Sequence, residues 1–149
     1  DLTKKFRFDG VGITASNTRV LTVQDSDLTV AGTDVAQEFS KTQNFNATTL
    51  TDGANIDWDA SANQVTSVTL AGNRTLDAPS NPINGQFISL LVIQDGTGSR
   101  TVTFNAAYEF KDDTAPTLTT TAAKGDLFVF RYNGSKFLEV GRNQNLTLS

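Results

Sequence analysis

The chain has no histidine, cysteine or methionine among its 149 residues, and it has one tryptophan and three prolines. It therefore lacks the side chains that most often act as nucleophiles, general bases and transition-metal ligands near neutral pH. Without cysteine it has no disulfide framework, so the redox compartment cannot be deduced. We predict no catalytic residue, no metal and no cofactor, and expect a structural or binding protein rather than an enzyme.

Charged residues are also scarce, and acidic residues outnumber basic ones. Charged residues make up 19% of the chain, and the net charge is −4. Nucleic-acid binding needs a basic patch that neutralises phosphates, so this composition argues against a nucleic-acid partner. No apolar run approaches the roughly 18 residues that a membrane span requires. We expect neither nucleic acid nor membrane as a partner.

Threonine is the commonest residue, with 22 copies, and β-branched residues favour strands. Apolar residues alternate with polar ones at Ile56 and Trp58, and again at Val68 and Leu70, which indicates half-buried strands. Residues 87–94 are apolar on both faces, which is typical of a strand covered on both sides. Short strands at this spacing predict an all-β fold, either a β-sandwich or a jelly-roll head.

Two turns between apolar segments predict hairpins. One is the glycine-rich stretch at residues 95–98, and the other is Asn133–Gly134, the strongest short hairpin signal in the chain. The expected core residues are Phe87, Leu91, Val102, Phe104, Phe128, Phe130 and Leu138.

The first 36 residues differ from the rest and predict an extended N-terminal arm, followed by a head domain over residues 37–149. The arm has too few large apolar residues to bury a core, so its strands need partners from other copies or other proteins. Its candidate contacts are Phe6, Phe8, Val20, Leu21, Val23, Leu28 and Val30. The chain begins with Asp1 and shows no signal peptide; we expect a piece of a longer polypeptide, with a processed N-terminus as the alternative.

An ordered series of motifs carries a resemblance to a known family. The series comprises residues 44–53 (NFNATTLTDG), 56–58 (IDW), 68–76 (VTLAGNRTL), 94–104 (QDGTGSRTVTF), 114–118 (TAPTL) and 126–128 (DLF). Together these segments resemble a β-domain of tailed-bacteriophage virion appendages. Residues 19–30 (RVLTVQDSDLTV) are similar to fibre-shaft segments in which three chains pack together.

The resemblance implies a homotrimeric virion protein that contacts other virion proteins through its arm. It leaves open whether the appendage is a tail fibre or a capsid fibre or decoration protein. Under this hypothesis, removal of residues 1–36 is expected to leave a folded monomer.

An alternative hypothesis is that the head recognises a glycan on the bacterial surface, since loops on rigid β-scaffolds often carry recognition. The candidate contacts are Tyr108, Phe110 and Lys111 in the loop 108–120, and residues 79–85 form a second candidate loop. Trp58 is in phase with Ile56 and is expected in the core.

Acidic pairs leave a weaker hypothesis open. Asp57 and Asp59 could lie within the spacing of a glycosidase's two carboxylates, which would make the chain a polysaccharide hydrolase. Asp112 and Asp113 could contribute to a calcium site, although the twelve-residue calcium loop is missing. Solvated turn carboxylates explain both pairs more simply.

Overall fold

The computed structural model describes residues 42–148, together with residues 18 and 20. The chain divides into two units, Asp1–Thr42 and Gln43–Ser149, and we call the second unit the head. The predicted boundary between residues 36 and 37 stays a prediction. Among the predicted arm contacts, Val20 is 82% exposed. The other six lie outside the described residues: Phe6, Phe8, Leu21, Val23, Leu28 and Val30.

The described part of the head consists of short strands, and the prediction of an all-β fold is confirmed. The strands are β1 (Ala47–Thr49), β2 (Asn55–Ile56), β3 (Val65–Leu70), β4 (Arg74–Leu76), β5 (Phe87–Gln94), β6 (Val102–Phe104), β7 (Tyr108–Glu109), β8 (Lys124–Tyr132) and β9 (Phe137–Thr147). A 3-10 helix covers Lys111–Asp113. No helix in residues 42–148 is long and apolar enough to cross a membrane.

The strands form two sheets. One has six strands in the order β1-β3-β5-β8-β9-β7, and the other has three in the order β2-β4-β6. Along the chain, the first six strands belong alternately to the larger and the smaller sheet. β1, β3 and β5 are parallel to one another in the larger sheet, and β2, β4 and β6 are parallel to one another in the smaller one. Each pair β1/β2, β3/β4 and β5/β6 therefore forms one turn of a three-turn parallel stack, and we call each turn a rung.

Burial alternates along the strands, as the two-residue period of a strand requires. In β5, Ile88, Leu90 and Val92 point inward and are buried, while the alternate positions point outward. In the small sheet, Ile56 and Leu76 are in register with each other and are fully buried. Side chains from both sheets thus form one apolar core.

An aromatic cluster completes the core where the last rung meets the hairpin β8–β9. Phe104 contacts Phe110 edge to face with ring centroids 4.9 Å apart, and Tyr108 lies 5.0 Å from Phe130 by the same measure. Such pairs contribute about 0.5–1.5 kcal/mol each beyond their burial. Phe128 and Phe130, both predicted core residues, are fully buried.

The hairpin predicted at Asn133–Gly134 is confirmed, because β8 and β9 pair antiparallel with Tyr132 opposite Phe137. The side chain of Asn133 accepts hydrogen bonds from the backbone N–H groups of Ser135 and Lys136 at 2.9 and 2.8 Å. The hairpin predicted at residues 95–98 is wrong. β5 pairs with β3 and β8, whereas β6 pairs with β4 in the other sheet, so this turn crosses between the sheets.

The parallel rungs also depart from a jelly roll, whose strands pair antiparallel. Among the strand pairs of the described residues, only β5 with β8 and β8 with β9 are antiparallel, and both pairs lie in the six-stranded sheet. Apolar and polar residues alternate in the same way in parallel and in antiparallel strands, so the sequence does not predict the parallel rungs.

Phe87 was expected in the core but is 53% exposed. It begins the outward-pointing set of β5, which continues through Leu91; Leu91 and Leu138 are only half-buried. Val102 and Phe104 are partly buried and pack against the core. The correction has a simple cause: both faces of β5 are apolar, and Ile88, Leu90 and Val92 occupy the inner one.

Candidate interaction surfaces

Both aromatic rings of the predicted receptor loop are buried. Tyr108 is 5% exposed and Phe110 is 8% exposed, so neither ring is available for stacking on a sugar. The hydroxyl of Tyr108 donates to the backbone carbonyl of Asp77 at 3.2 Å, and burial raises the pKa of the phenol. Lys111 alone of the three is exposed. The expectation that Tyr108 and Phe110 present exposed aromatic surface is therefore corrected, because both rings pack on Phe104 and Phe130.

A small cavity of about 270 Å³ lies beside this loop and is lined in part by a polar cluster of Glu109, Asp113 and Lys136. Lys136 Nζ lies 2.9 Å from Glu109 Oε2 and also donates to the carbonyl of Ala106 at 2.9 Å. The lysine lowers the pKa of Glu109, whereas a hydrogen bond to Glu109 raises the pKa of Asp113. The cluster is internally paired and fixes the 3-10 turn to the hairpin β8–β9.

Asp112 and Asp113 both adopt left-handed backbone angles, with φ of 56° and 54°. Asp and Asn tolerate this conformation better than most residues, so the pair suits a tight turn. No group of three or more acidic side chains that could hold a metal ion occurs in the described part of the chain.

In the other acidic pair, Asp59 has a structural role. Asp59 Oδ1 accepts hydrogen bonds from the backbone N–H and the hydroxyl of Ser61, at 3.0 and 2.8 Å, and from the amide of Asn81 at 3.2 Å. These bonds lower the pKa of Asp59, and the side chains of Ser61 and Asn81 contribute most to the lowering. A glycosidase acid needs a raised pKa, so this carboxylate is unsuited to that role.

The core prediction for Trp58 is confirmed, since it is 2% exposed. Its Nε1–H donates to the carbonyl of Asn63 at 2.8 Å, which ties the loop after β2 to the core.

Several apolar side chains lie on the outer face of the six-stranded sheet, which we define as the outward-pointing positions of β1, β3, β5 and β8. The register places Val65, Ser89 and Val129 side by side, and next to them Ser67, Leu91 and Leu127. Asn143 and Gly141 of β9 continue these rows. Each row therefore combines apolar side chains with small polar ones on the side away from the core.

Four of the five exposed large hydrophobic residues of the described head border this face, and the fifth, Ile83, lies beside Phe45 at the adjoining loop. They are Phe45 at 64%, Ile83 at 70%, Phe87 at 53%, Val140 at 59% and Leu148 at 42% exposure. Phe45, Phe87 and Val129 line one hollow of about 450 Å³, and Val129 and Val140 line another of about 270 Å³. A methyl group placed on Gly125 would lie 3.0 Å from both Leu91 and Leu148, which locates Leu148 over the same face.

One end of the outer face adjoins the second candidate loop, residues 79–85. Phe45, Ile83, Asn46, Ser61 and Gln86 belong to a hollow of about 480 Å³ there, which we call the Phe45 hollow. Its lining contains no charged side chain; the remaining members are Ala62, Gln64 and Gly85.

The outer face of the three-stranded sheet has the opposite character. Asn55, Thr75 and Thr103 are in register across it, and Asn55 and Thr103 are exposed. This polar row is typical of a sheet surface that faces water.

Sequence reasoning missed the outer face, because it placed both faces of β5 in the core. The signal was present in residues 87–94, which are apolar at nearly every position, but a single sequence does not show whether the second cover comes from the same chain.

A family model described as "Putative phage tail fibre C-terminal domain" matches residues 52–136. The match covers more than half of the chain and runs from β2 through β8, so it includes the crossings between the sheets and most of the apolar core. No curated protein and no solved structure matches the chain.

Proposed function

Because the chain belongs to the family of phage tail fibre C-terminal domains, and is thus a structural protein of the virion, we propose that it acts as a non-enzymatic homotrimer. In this proposal the head forms the distal part of a tail appendage, and the N-terminal arm joins it to the other virion proteins. The match over residues 52–136 is the observation that supports the proposal most directly.

The arm's role rests on its composition. Phe6, Phe8 and the apolar positions of residues 19–30 are too few to bury a core within one chain. Strands with unpaired edges gain hydrogen bonds when they join strands of other chains, and closed symmetry is the commonest outcome for identical chains. The arm therefore suits attachment and association rather than independent folding.

Gold-labelled antibodies against the head test the placement. Electron microscopy of intact particles is expected to show gold at the tail or on its appendages. Particles that contain no copy of the chain by mass spectrometry, or gold confined to the capsid, would contradict the proposal. Antibody depleted with purified chain serves as the control for labelling specificity.

Glycan recognition by the head is a second candidate function, and the Phe45 hollow is the observation that favours it. An exposed aromatic ring beside uncharged amide and hydroxyl groups suits a neutral sugar, whose apolar face stacks on rings. The candidate contacts thus move from Tyr108 and Phe110 to Phe45 and Asn46, while contact by Lys111 stays a prediction.

The second candidate is tested by binding of the full chain to host cell-surface polysaccharide. Phe45→Ala together with Asn46→Ala is expected to abolish binding, and Thr103→Ala, on the exposed face of the three-stranded sheet, serves as the matched surface control. Equal binding by the double variant and the unaltered chain would contradict recognition at the Phe45 hollow.

A further inference from the structure

We infer that Asn133 is a site of spontaneous modification, at which the backbone nitrogen of Gly134 attacks the side-chain amide and ammonia leaves. The site lies at the tip of the hairpin β8–β9, where Asn133, Gly134 and Ser135 are all exposed. The inference goes beyond the proposed function, because it concerns a covalent change that the folded head undergoes without a partner.

The reaction needs only the chain and water. The Gly134 nitrogen loses its proton and forms a bond to Asn133 Cγ, while the bond from Cγ to Nδ2 breaks and Nδ2 takes up that proton to depart as ammonia. Water then opens the resulting succinimide ring at either carbonyl, and nothing is oxidised or reduced. The product is aspartate or isoaspartate, in which the main chain runs through the side-chain carbon. Either product adds a negative charge to the hairpin.

The first argument concerns the attacking nitrogen. Glycine favours the attack, because no side chain beside its nitrogen blocks the approach. The sequence contains two such pairs, Asn84–Gly85 and Asn133–Gly134. The N–H of Gly85 donates to the carbonyl of Tyr132 at 2.8 Å, so attack by this nitrogen costs a hydrogen bond. Among the hydrogen bonds of residues 42–148, none uses the N–H of Gly134.

The second argument concerns the carbon that is attacked. Asn133 Oδ1 accepts hydrogen bonds from the backbone N–H groups of Ser135 and Lys136 at 2.9 and 2.8 Å. The attack moves negative charge onto this oxygen, and donors already aimed at an oxygen stabilise such charge, as in an oxyanion hole. The turn therefore favours the intermediate over the neutral amide.

The third argument is that the structure holds the comparable Asp–Gly pairs in an unreactive form. Ring closure at aspartate needs the neutral acid, because an ionised carboxylate repels the nucleophile. Asp52 and Asp95, each followed by a glycine, accept hydrogen bonds from Arg74 and Arg100, which lower the pKa of both carboxyls. Both carboxylates thus stay ionised, and Asn133 has no equivalent protection.

The two Asn–Gly pairs lie side by side, which makes one the control for the other. A methyl group placed on Gly134 would lie 3.6 Å from Cγ of Asn84. Asn84 and Asn133 are both exposed, so water reaches both. A difference between their rates therefore reports the hydrogen bonding of the two turns rather than their location.

Peptide mapping by mass spectrometry of the full chain, incubated in mildly alkaline buffer, tests the inference. In the folded chain, residue 133 is expected to convert roughly tenfold faster than residue 84, which is the effect of the hydrogen bond that Gly85 must lose. The chain unfolded in guanidinium chloride is the matched reference, in which both pairs are expected to convert at similar rates. An isoaspartate-specific methyltransferase is expected to label the peptide that contains residue 133.

Intact-mass measurement of two variants assigns the change. Asn133→Asp retains an oxygen that accepts the turn's N–H groups and is expected to lose the fast mass increase, whereas Asn84→Asp is expected to keep it. Equal conversion at residues 133 and 84 in the folded chain would overturn the inference, as would conversion at residue 133 only after unfolding. Aspartate without isoaspartate at residue 133 would also overturn it, because attack by Gly134 gives both products.

Discussion

At the scale of single residues, two arginine–aspartate ion pairs connect residues next to strand ends in the head. Arg74 donates to both carboxylate oxygens of Asp52 at 2.7 Å, whereas Arg100 donates from Nε and Nη2 to a single oxygen, Asp95 Oδ2, at 3.1 and 2.8 Å. Hydrogen bonds from these arginines are the main reason that the pKa of Asp52 and that of Asp95 lie below the ordinary carboxyl value. Each folded-state carboxylate is therefore harder to protonate than its unfolded counterpart.

These shifts predict an acid-dependent loss of stability. Because the folded pKa is lowered, the contribution is complete above the unfolded value of 3.8 and disappears as pH falls through the folded pKa. Asp52→Asn with Asp95→Asn is expected to be less stable near pH 7 and to show a shallower loss of unfolding free energy below about pH 4. Urea unfolding followed by the fluorescence of Trp58 measures this.

Asp57→Asn is the control for the acid series, since Asp57 is exposed and forms none of the ion pairs found within residues 42–148. An unchanged acid profile in the double variant would show that the two arginine pairs contribute nothing to the pH dependence.

Burial separates two phenylalanines that looked equivalent in the sequence. Phe128 is fully buried, so Phe128→Ala is expected to lower the free energy of unfolding by about 3–5 kcal/mol. Phe87 is 53% exposed, and Phe87→Ala is expected to cost less than half as much in the dissociated chain. Urea unfolding at concentrations too low for association provides the comparison, and equal costs would contradict the assignment of Phe87 to the outer face.

At the scale of elements, the crossing from β5 to β6 depends on one glycine. Gly98 has a φ of +74°, and a methyl group there would lie 2.5 Å from the carbonyl oxygen of Thr120 and 2.8 Å from the N of Ala122. Asp95 Oδ1 accepts the N–H of Gly98 at 2.8 Å, and the side chain of Gln94 bonds the backbone of Arg100 in both directions. Gln94 and Asp95, at the end of β5, thus fix the conformation of the loop that follows them.

Gly98→Ala is expected to destabilise the head by about 2 kcal/mol or more, because the substitution combines an unfavourable backbone angle with contact against backbone atoms. Gly96→Ala, two residues earlier, has open space around its added methyl group and is expected to change stability by less than about 0.5 kcal/mol. Thermal unfolding of both variants tests the pair; equal effects would mean that the crossing does not need Gly98.

The elements show how far sequence reasoning reached. Strand β5 and the hairpin at Asn133–Gly134 follow from local patterns, because alternation and turn chemistry act over a few residues. The parallel rungs do not, since pairing of β4 with β2 and β6 links residues about 20 to 30 positions apart. The crossing at residues 95–98 has the composition of a hairpin turn, and only packing distinguishes the two.

At the scale of the whole molecule, the outer face of the small sheet is polar, whereas that of the six-stranded sheet mixes apolar and polar side chains. The buried rings of Tyr108 and Phe110 could not be recognised from their polar neighbours, because the 3-10 turn and β7 direct them inward. Sequence reasoning did not identify the outer face, because its apolar residues have the composition expected of a buried core.

Sedimentation equilibrium of the full 149-residue chain tests the central claim most directly, since the claim is that this virion protein works as an association of copies. The account predicts a species with three times the 16.0 kDa mass of one chain. A mass of 16.0 kDa at every concentration, from folded protein, would contradict it.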